Sequence, residues 1–110
     1  MAKASTQTLN IVNTFLEEVA KEISIKRVIM FGSQVSGKAN KWSDIDLAII
    51  SDDFKDMSNF ERLVFLGKIA WRAKTTAIEA LGFTEEEYQH VSPLDFLSEI
   101  KSKGKVIYGK

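Results

Sequence analysis

Apolar and polar positions change period several times along the chain, and the changes divide it into elements. Leu9, Val12, Leu16, Val19 and Ile23 recur at helical spacing, which predicts an amphipathic first helix over 6–22. Residues 27–31, Arg-Val-Ile-Met-Phe, form a short apolar run, the mark of a buried strand. Residues 32–37, bounded by glycines, predict a turn into a short helix or loop, and 38–42 a polar connection. A second strand is expected over 44–50, followed by an acidic turn at Asp52-Asp53. Ser58 and Glu61 stand at capping-box spacing and open a long helix over 59–74. A third strand is expected over 76–81, ending at Gly82. Ser92-Pro93 with Asp95 signals a helix reaching 102 and stopped by Gly104, and 105–108 reads as a last short strand. Helices alternating with strands predict an α/β fold, a mixed sheet of about four strands with helices covering one face. With no linker, repeat or low-complexity tract, residues 1–110 are expected to form a single domain.

The second strand carries the candidate chemistry. Asp44 and Asp46 are two apart, so in a strand they stand on the same face, about 6.6 Å apart along the backbone. Ile45, Leu47 and Ile49 then face the core. Two neighbouring carboxylates repel each other, and a divalent cation relieves that cost. Mg²⁺, held by one or two carboxylates while bridging substrate phosphates, is the usual partner. Upstream, Gly32 allows close approach of the backbone to a ligand, and Ser33 offers a hydroxyl and an N–H near a predicted helix start, where anions bind. One half of the pattern suits phosphate and the other suits metal.

A hydrophobic strand 28–31, then Gly32-Ser33, a ten-residue spacer 34–43, and Asp44-Ile45-Asp46-Leu47 in a second hydrophobic strand resemble the minimal nucleotidyltransferase family of the DNA polymerase β-like superfamily. The likeness extends over about 5–108 and implies the polymerase β palm-like fold, with its acids on the uncovered face of the sheet. It also implies transfer of a nucleoside monophosphate, AMP from ATP, to an acceptor hydroxyl. Gly32 and Ser33 would cradle the triphosphate, while Asp44 and Asp46 would hold two Mg²⁺ ions. A third acid usually accompanies such a pair. Asp52 lies six residues beyond Asp46, about 20 Å along a strand, too far for a shared ion cluster. Glu79, a lone acid within Ala77-Ile78-Glu79-Ala80-Leu81, falls where the family places its third acid, on a strand after the long helix. Many members have Asp there, so three roles stay open for Glu79: metal ligand, general base toward the attacking hydroxyl, or plain surface residue. Small members of this family are often antitoxins that modify a HEPN-domain toxin ribonuclease, and the resemblance implies such a partner.

Composition narrows the alternatives. Of the 110 residues, 45% are hydrophobic and 27% charged, enough for one core. The formal net charge is zero, which argues against a general nucleic-acid binder. Without cysteine there is no disulfide, zinc-thiolate site or thiol nucleophile. No apolar run reaches membrane-spanning length and no signal-peptide segment opens the sequence, so a cytoplasmic location with no membrane partner is expected. Lys38 and Lys41 lie between the motif halves and could meet the triphosphate or simply be solvated. Trp42 suits a packing role, and His90, the lone histidine, a structural one. Lys101, Lys103, Lys105 and Lys110 read as a basic tail that complements a helix C-terminus. On the long helix, Phe60, Leu63, Val64, Gly67, Ala70 and Trp71 share one face, expected to lie on the sheet. Phe65 and Ile69 then point outward, with Arg62 and Arg72 beside them, and predict contact with a second copy or a toxin subunit. Two other functions compete: an aminoglycoside-type transferase acting on a small molecule, and a non-catalytic protein that binds a toxin or nucleotide.

Overall fold

Ser5 opens the first helix, α1 (Thr6–Ala20), by accepting the Thr8 N–H at 3.0 Å, and the helix buries Val12, Phe15 and Val19. The computed structural model describes residues 5–38 and 44–109; Lys41, Trp42 and Lys110 lie outside them. Beyond α1 come β1 (Arg27–Phe31), the single-turn helix α2 (Ser33–Ser36) and β2 (Ile45–Ile50). A short 3₁₀ turn (Asp52–Phe54) leads to α3 (Asn59–Arg72) and β3 (Ile78–Phe83). The chain closes with α4 (Glu85–Gln89), α5 (Phe96–Lys103) and β4 (Lys105–Tyr108). The sheet order is β3-β2-β1-β4, with β2 and β3 parallel and the other two pairs antiparallel. Among the described residues, no helix is long and apolar enough to cross a membrane.

Alternation along the strands sorts the side chains into two cores. Val28, Met30, Ile45, Leu47, Ile49, Ile78 and Ala80 meet α1 and α3 on one face. Ile29, Ala48 and Ile50 meet Tyr88 of α4 and Leu97 and Ile100 of α5 on the other. Helices therefore cover both faces in part, and the acid-bearing face is not bare as expected. Helix α4 was not anticipated, although Thr84 and Glu87 form a complete capping box. β3 runs through Gly82 because the Phe54 ring fills the space where a side chain would stand: a Cβ there would lie 2.9 Å from the ring. Helix α5 starts later than expected, with Asp95 rather than Ser92 at its N-cap. Asp52 is engaged at the far end of β2 with Lys26 at 2.8 Å, away from the other acids.

The expected orientation of α3 is reversed. Leu66, Ile69 and Ala70 are buried against the sheet, and Phe65 stacks edge-on against Phe54 with ring centroids 6.3 Å apart. Phe60, Leu63, Val64 and Trp71 face outward. Ile69 is thus a core residue and Phe65 packs against the core, so the two do not form the outward strip expected of them. The cause is Arg62, which is buried rather than on a rim. Its Nε donates to the carbonyls of Phe54 (3.1 Å) and Met57 (3.0 Å), and its Nη1 to the carbonyl of Gly82 (3.3 Å) and to Glu87 Oε1 (2.6 Å). An apolar set exists on each side of α3, and the guanidinium, satisfied only from within, selects the buried one. Arg62→Ala is expected to cost about 2–3 kcal/mol in urea denaturation, because it removes four hydrogen bonds made by a buried guanidinium, including an ion pair with Glu87. Arg62→Lys should recover only part of this, since an ammonium cannot reproduce the fork.

Candidate active site

Ladder register assembles the site. Asp46 pairs with Phe31 across β1 and with Glu79 across β3, so the three side chains form one row on the face opposite Leu47 and Ala80. Asp44 immediately precedes β2 and is exposed, as is Glu79, whereas Asp46 is half-buried. Burial pushes the Asp46 carboxyl above its ordinary value, and the charges of Glu79 and then Asp44 push it further. The three acids expected from the sequence therefore share one electrostatic field. Among the described residues, no three acidic or histidine side chains close into a ready-made cation cage. The donors present, carboxylate oxygens of Asp44 and Asp46, are of the kind Mg²⁺ takes together with waters and substrate phosphate oxygens. A carboxylate whose charge is disfavoured by burial and by neighbouring acids is also a group that a cation would relieve.

Gly32 is the hinge between the motif halves. Its backbone, at φ 77° and ψ −152°, is in a region essentially restricted to glycine. A methyl there would overlap Asp46 Oδ2 and lie 3.2 Å from its Cγ, so backbone and carboxylate are in direct contact. Gly32 is also the N-cap of α2, its carbonyl accepting the Val35 and Ser36 N–H groups at 3.1 Å each. Ser33 is consequently the first residue of that helix, next in sequence to the glycine that touches Asp46. Lys38 is exposed just beyond the left-handed Gly37 that ends α2. His90 is the exposed C-cap of α4, a structural position.

From Asp46 and Gly32 a cleft of about 660 Å³ opens between α2 and α5, a size that suits a small ligand. Its other wall is Phe96, Glu99, Ile100 and Lys103. Phe96 meets Phe31 edge-to-face, ring centroids 5.8 Å apart, and remains largely exposed at the cleft wall. None of these wall residues carried a motif in the sequence. An apolar residue at the first position of a helix gives no sign of which strand end it will face. Of the basic tail, Lys103 lines the cleft and pairs with Glu99 at 3.2 Å. Lys101 donates to the Tyr88 carbonyl at 2.9 Å and sits over the Tyr88 ring, so its role exceeds the dipole effect expected of it.

Comparison with known proteins agrees with this geometry. A segment covering 53% of the chain is 43% identical over 58 residues to the probable protein adenylyltransferase MntA of Haemophilus influenzae, and spans 48% of that protein. Two solved structures, each 21% identical, share the fold. One, from Sulfolobus solfataricus, is assigned as a nucleotidyltransferase; it aligns with TM-score 0.68 over 94% of this chain and 82% of its own. The other is a toxin–antitoxin with AMP-PNP, with TM-score 0.61 over 89% and 73%. The model of the nucleotidyltransferase domain family matches residues 12–105, and the chain belongs to that family.

Proposed function

We propose that residues 1–110 act as one cytoplasmic, Mg²⁺-dependent domain that transfers AMP from ATP to a hydroxyl on a protein acceptor, as an antitoxin acting on a HEPN-domain toxin. The observation that carries this reading is the row of Asp46 and Glu79 with Asp44 beside it, set against the backbone of Gly32 at the mouth of a cleft. Asp44 and Asp46 would hold Mg²⁺, which when bound neutralises phosphate charge and stabilises the entering and leaving oxygens. The Ser33 hydroxyl and the N–H groups at the start of α2 would meet the triphosphate, and Gly32 leaves room for it. The acceptor oxygen attacks the α-phosphorus and forms the new P–O bond. The bond to the β-phosphate bridging oxygen breaks, and pyrophosphate leaves with the electron pair. Glu79, one strand away from Asp46, would take the acceptor proton or orient the hydroxyl. Two supports favour a protein acceptor over a small polar one: the exposed Phe96 at the cleft wall, and the local identity to a probable protein adenylyltransferase.

Incubation with Mg²⁺ and each labelled nucleoside triphosphate, with and without a HEPN-domain partner, tests the proposal. Label should pass from ATP to the partner and cease when the metal is chelated. No transfer in any combination would sink the catalytic reading. Ser33→Ala is expected to raise KM for ATP about tenfold with kcat little changed. Glu79→Gln should instead lower kcat about 10²-fold or more with nucleotide binding kept, within the usual range for acid–base assistance. Normal turnover in Glu79→Gln would place the base elsewhere.

A further inference from the structure

The outward face of α3 lies on the side of the sheet away from the cleft. Phe60 is 73% exposed, Leu63 51%, Val64 36% and Trp71 76%, and they form one stripe along the helix. An aromatic side chain carries roughly 150–250 Å² of surface, so the two rings alone leave about 300 Å² uncovered. Leu63 and Val64 bring the patch to about 400–500 Å², within the range of a monomer's largest patch, which is often functional. Gly67 sits in the middle of this stripe, and a Cβ there would meet nothing within 4 Å. The fold therefore has no internal need for glycine at a helix-interior position where it is unfavourable. Beside Leu63, a groove of about 230 Å³ runs between α3 and the edge strand β3, lined by Asn59, Leu63, Leu81, Gly82 and Phe83.

We infer that this face pairs with the same face of a second copy, helix antiparallel to helix, with the two-fold axis at Gly67. Leu63 and Trp71 are each four residues from Gly67, about 6 Å along the axis in opposite directions. A two-fold at Gly67 sets Trp71 of one copy over Leu63 and the groove of the other, and does so twice. Projecting ring and receiving groove are thus carried by one chain at the separation that a closed, isologous pair requires. The missing side chain at Gly67 lets the backbones approach at the axis. Glu61, Lys68 and Arg72 lie along one rim, and the antiparallel arrangement puts Glu61 of each copy next to Arg72 of the other. Twice the patch is close to the ~1,000 Å² at which specific interfaces begin. Both clefts stay open, so the pairing does not depend on the catalytic reading.

Sedimentation equilibrium of the full chain, over a wide concentration range and without nucleotide, tests it. The wild type should show a reversible monomer–dimer equilibrium. Trp71→Ala should raise the dimer Kd at least tenfold. Gly67→Glu, which sets two carboxylates against each other at the axis, should leave only monomer. Its melting temperature at low concentration should be unchanged or higher, because the site is open and glutamate is a better helix former. Leu63→Glu gives a second repulsive variant should Gly67→Glu fold poorly. A wild type that is monomeric at every concentration overturns the inference, as does a dimer whose Kd none of these variants moves.

Discussion

Asp46→Asn is expected to lower nucleotidyl transfer by about 10³-fold or more while making the metal-free protein more stable at neutral pH. The loss follows from the several kcal/mol of transition-state charge stabilisation that a metal-holding carboxylate makes available. The gain follows from linkage. Burial and the charges of Glu79 and Asp44 raise the Asp46 pKa in the folded protein. Between the ordinary carboxylate value and the raised one, the unfolded chain has released its proton and the folded chain still holds it. Stability therefore falls as pH rises through that window, and the cost persists above it. Asparagine has no proton to hold and escapes this fall. In urea denaturation with a chelator, the variant should match the wild type at acid pH. It should exceed it at neutral pH by a few tenths to about 1 kcal/mol, because partial solvent screening limits the effect. Added Mg²⁺ should stabilise the wild type more than the variant. Undiminished transfer in Asp46→Asn would remove this carboxylate from the site.

Gly32→Ala is expected to cost about 2–4 kcal/mol in folding stability and to eliminate transfer even where the protein remains folded. Part of the cost is backbone: φ 77° with ψ −152° is a conformation that residues with a Cβ rarely adopt. The remainder is steric, since the methyl would overlap the Asp46 carboxylate. Relaxation would have to displace either Asp46 or the start of α2, and each belongs to the proposed site. Denaturation midpoints and single-turnover transfer on the same preparation check both effects. An active Gly32→Ala of wild-type stability would show that the contact between this backbone and Asp46 is dispensable.

Much of this arrangement can be read along the chain because its causes are local. Alternation in Ile45-Asp46-Leu47-Ala48-Ile49 assigns Asp46 to the face opposite Ile45, Leu47 and Ile49, and the structure has that assignment. Capping chemistry at Ser58 and Glu61 starts α3 at Asn59. The ladder places Glu79 directly beside Asp46, a neighbourhood that follows from the parallel pairing of β2 and β3. Helix α4 was legible too, in Thr84 and Glu87, and was overlooked.

Periodicity identifies the apolar faces of an element but does not rank them when two exist. On α3 two apolar sets of similar size compete: Phe60, Leu63, Val64 and Trp71 on one side, Phe65, Leu66, Ile69 and Ala70 on the other. The buried side is the one that carries Arg62, whose guanidinium joins the carbonyls of Phe54, Met57 and Gly82 to the Glu87 carboxylate. Those partners come from several elements, so their sum is invisible in any local window. The same is true of the cleft wall, where Phe96 meets Phe31 from 65 residues away in the chain. The sequence by itself determined that the four strands exist, the cap of α3 and the spacing of Gly32, Asp44 and Asp46, because short-range sterics and hydrogen bonds set these. Only the tertiary structure decided which side of α3 is buried and what closes the cleft, because both depend on polar groups and rings that meet after the chain has folded.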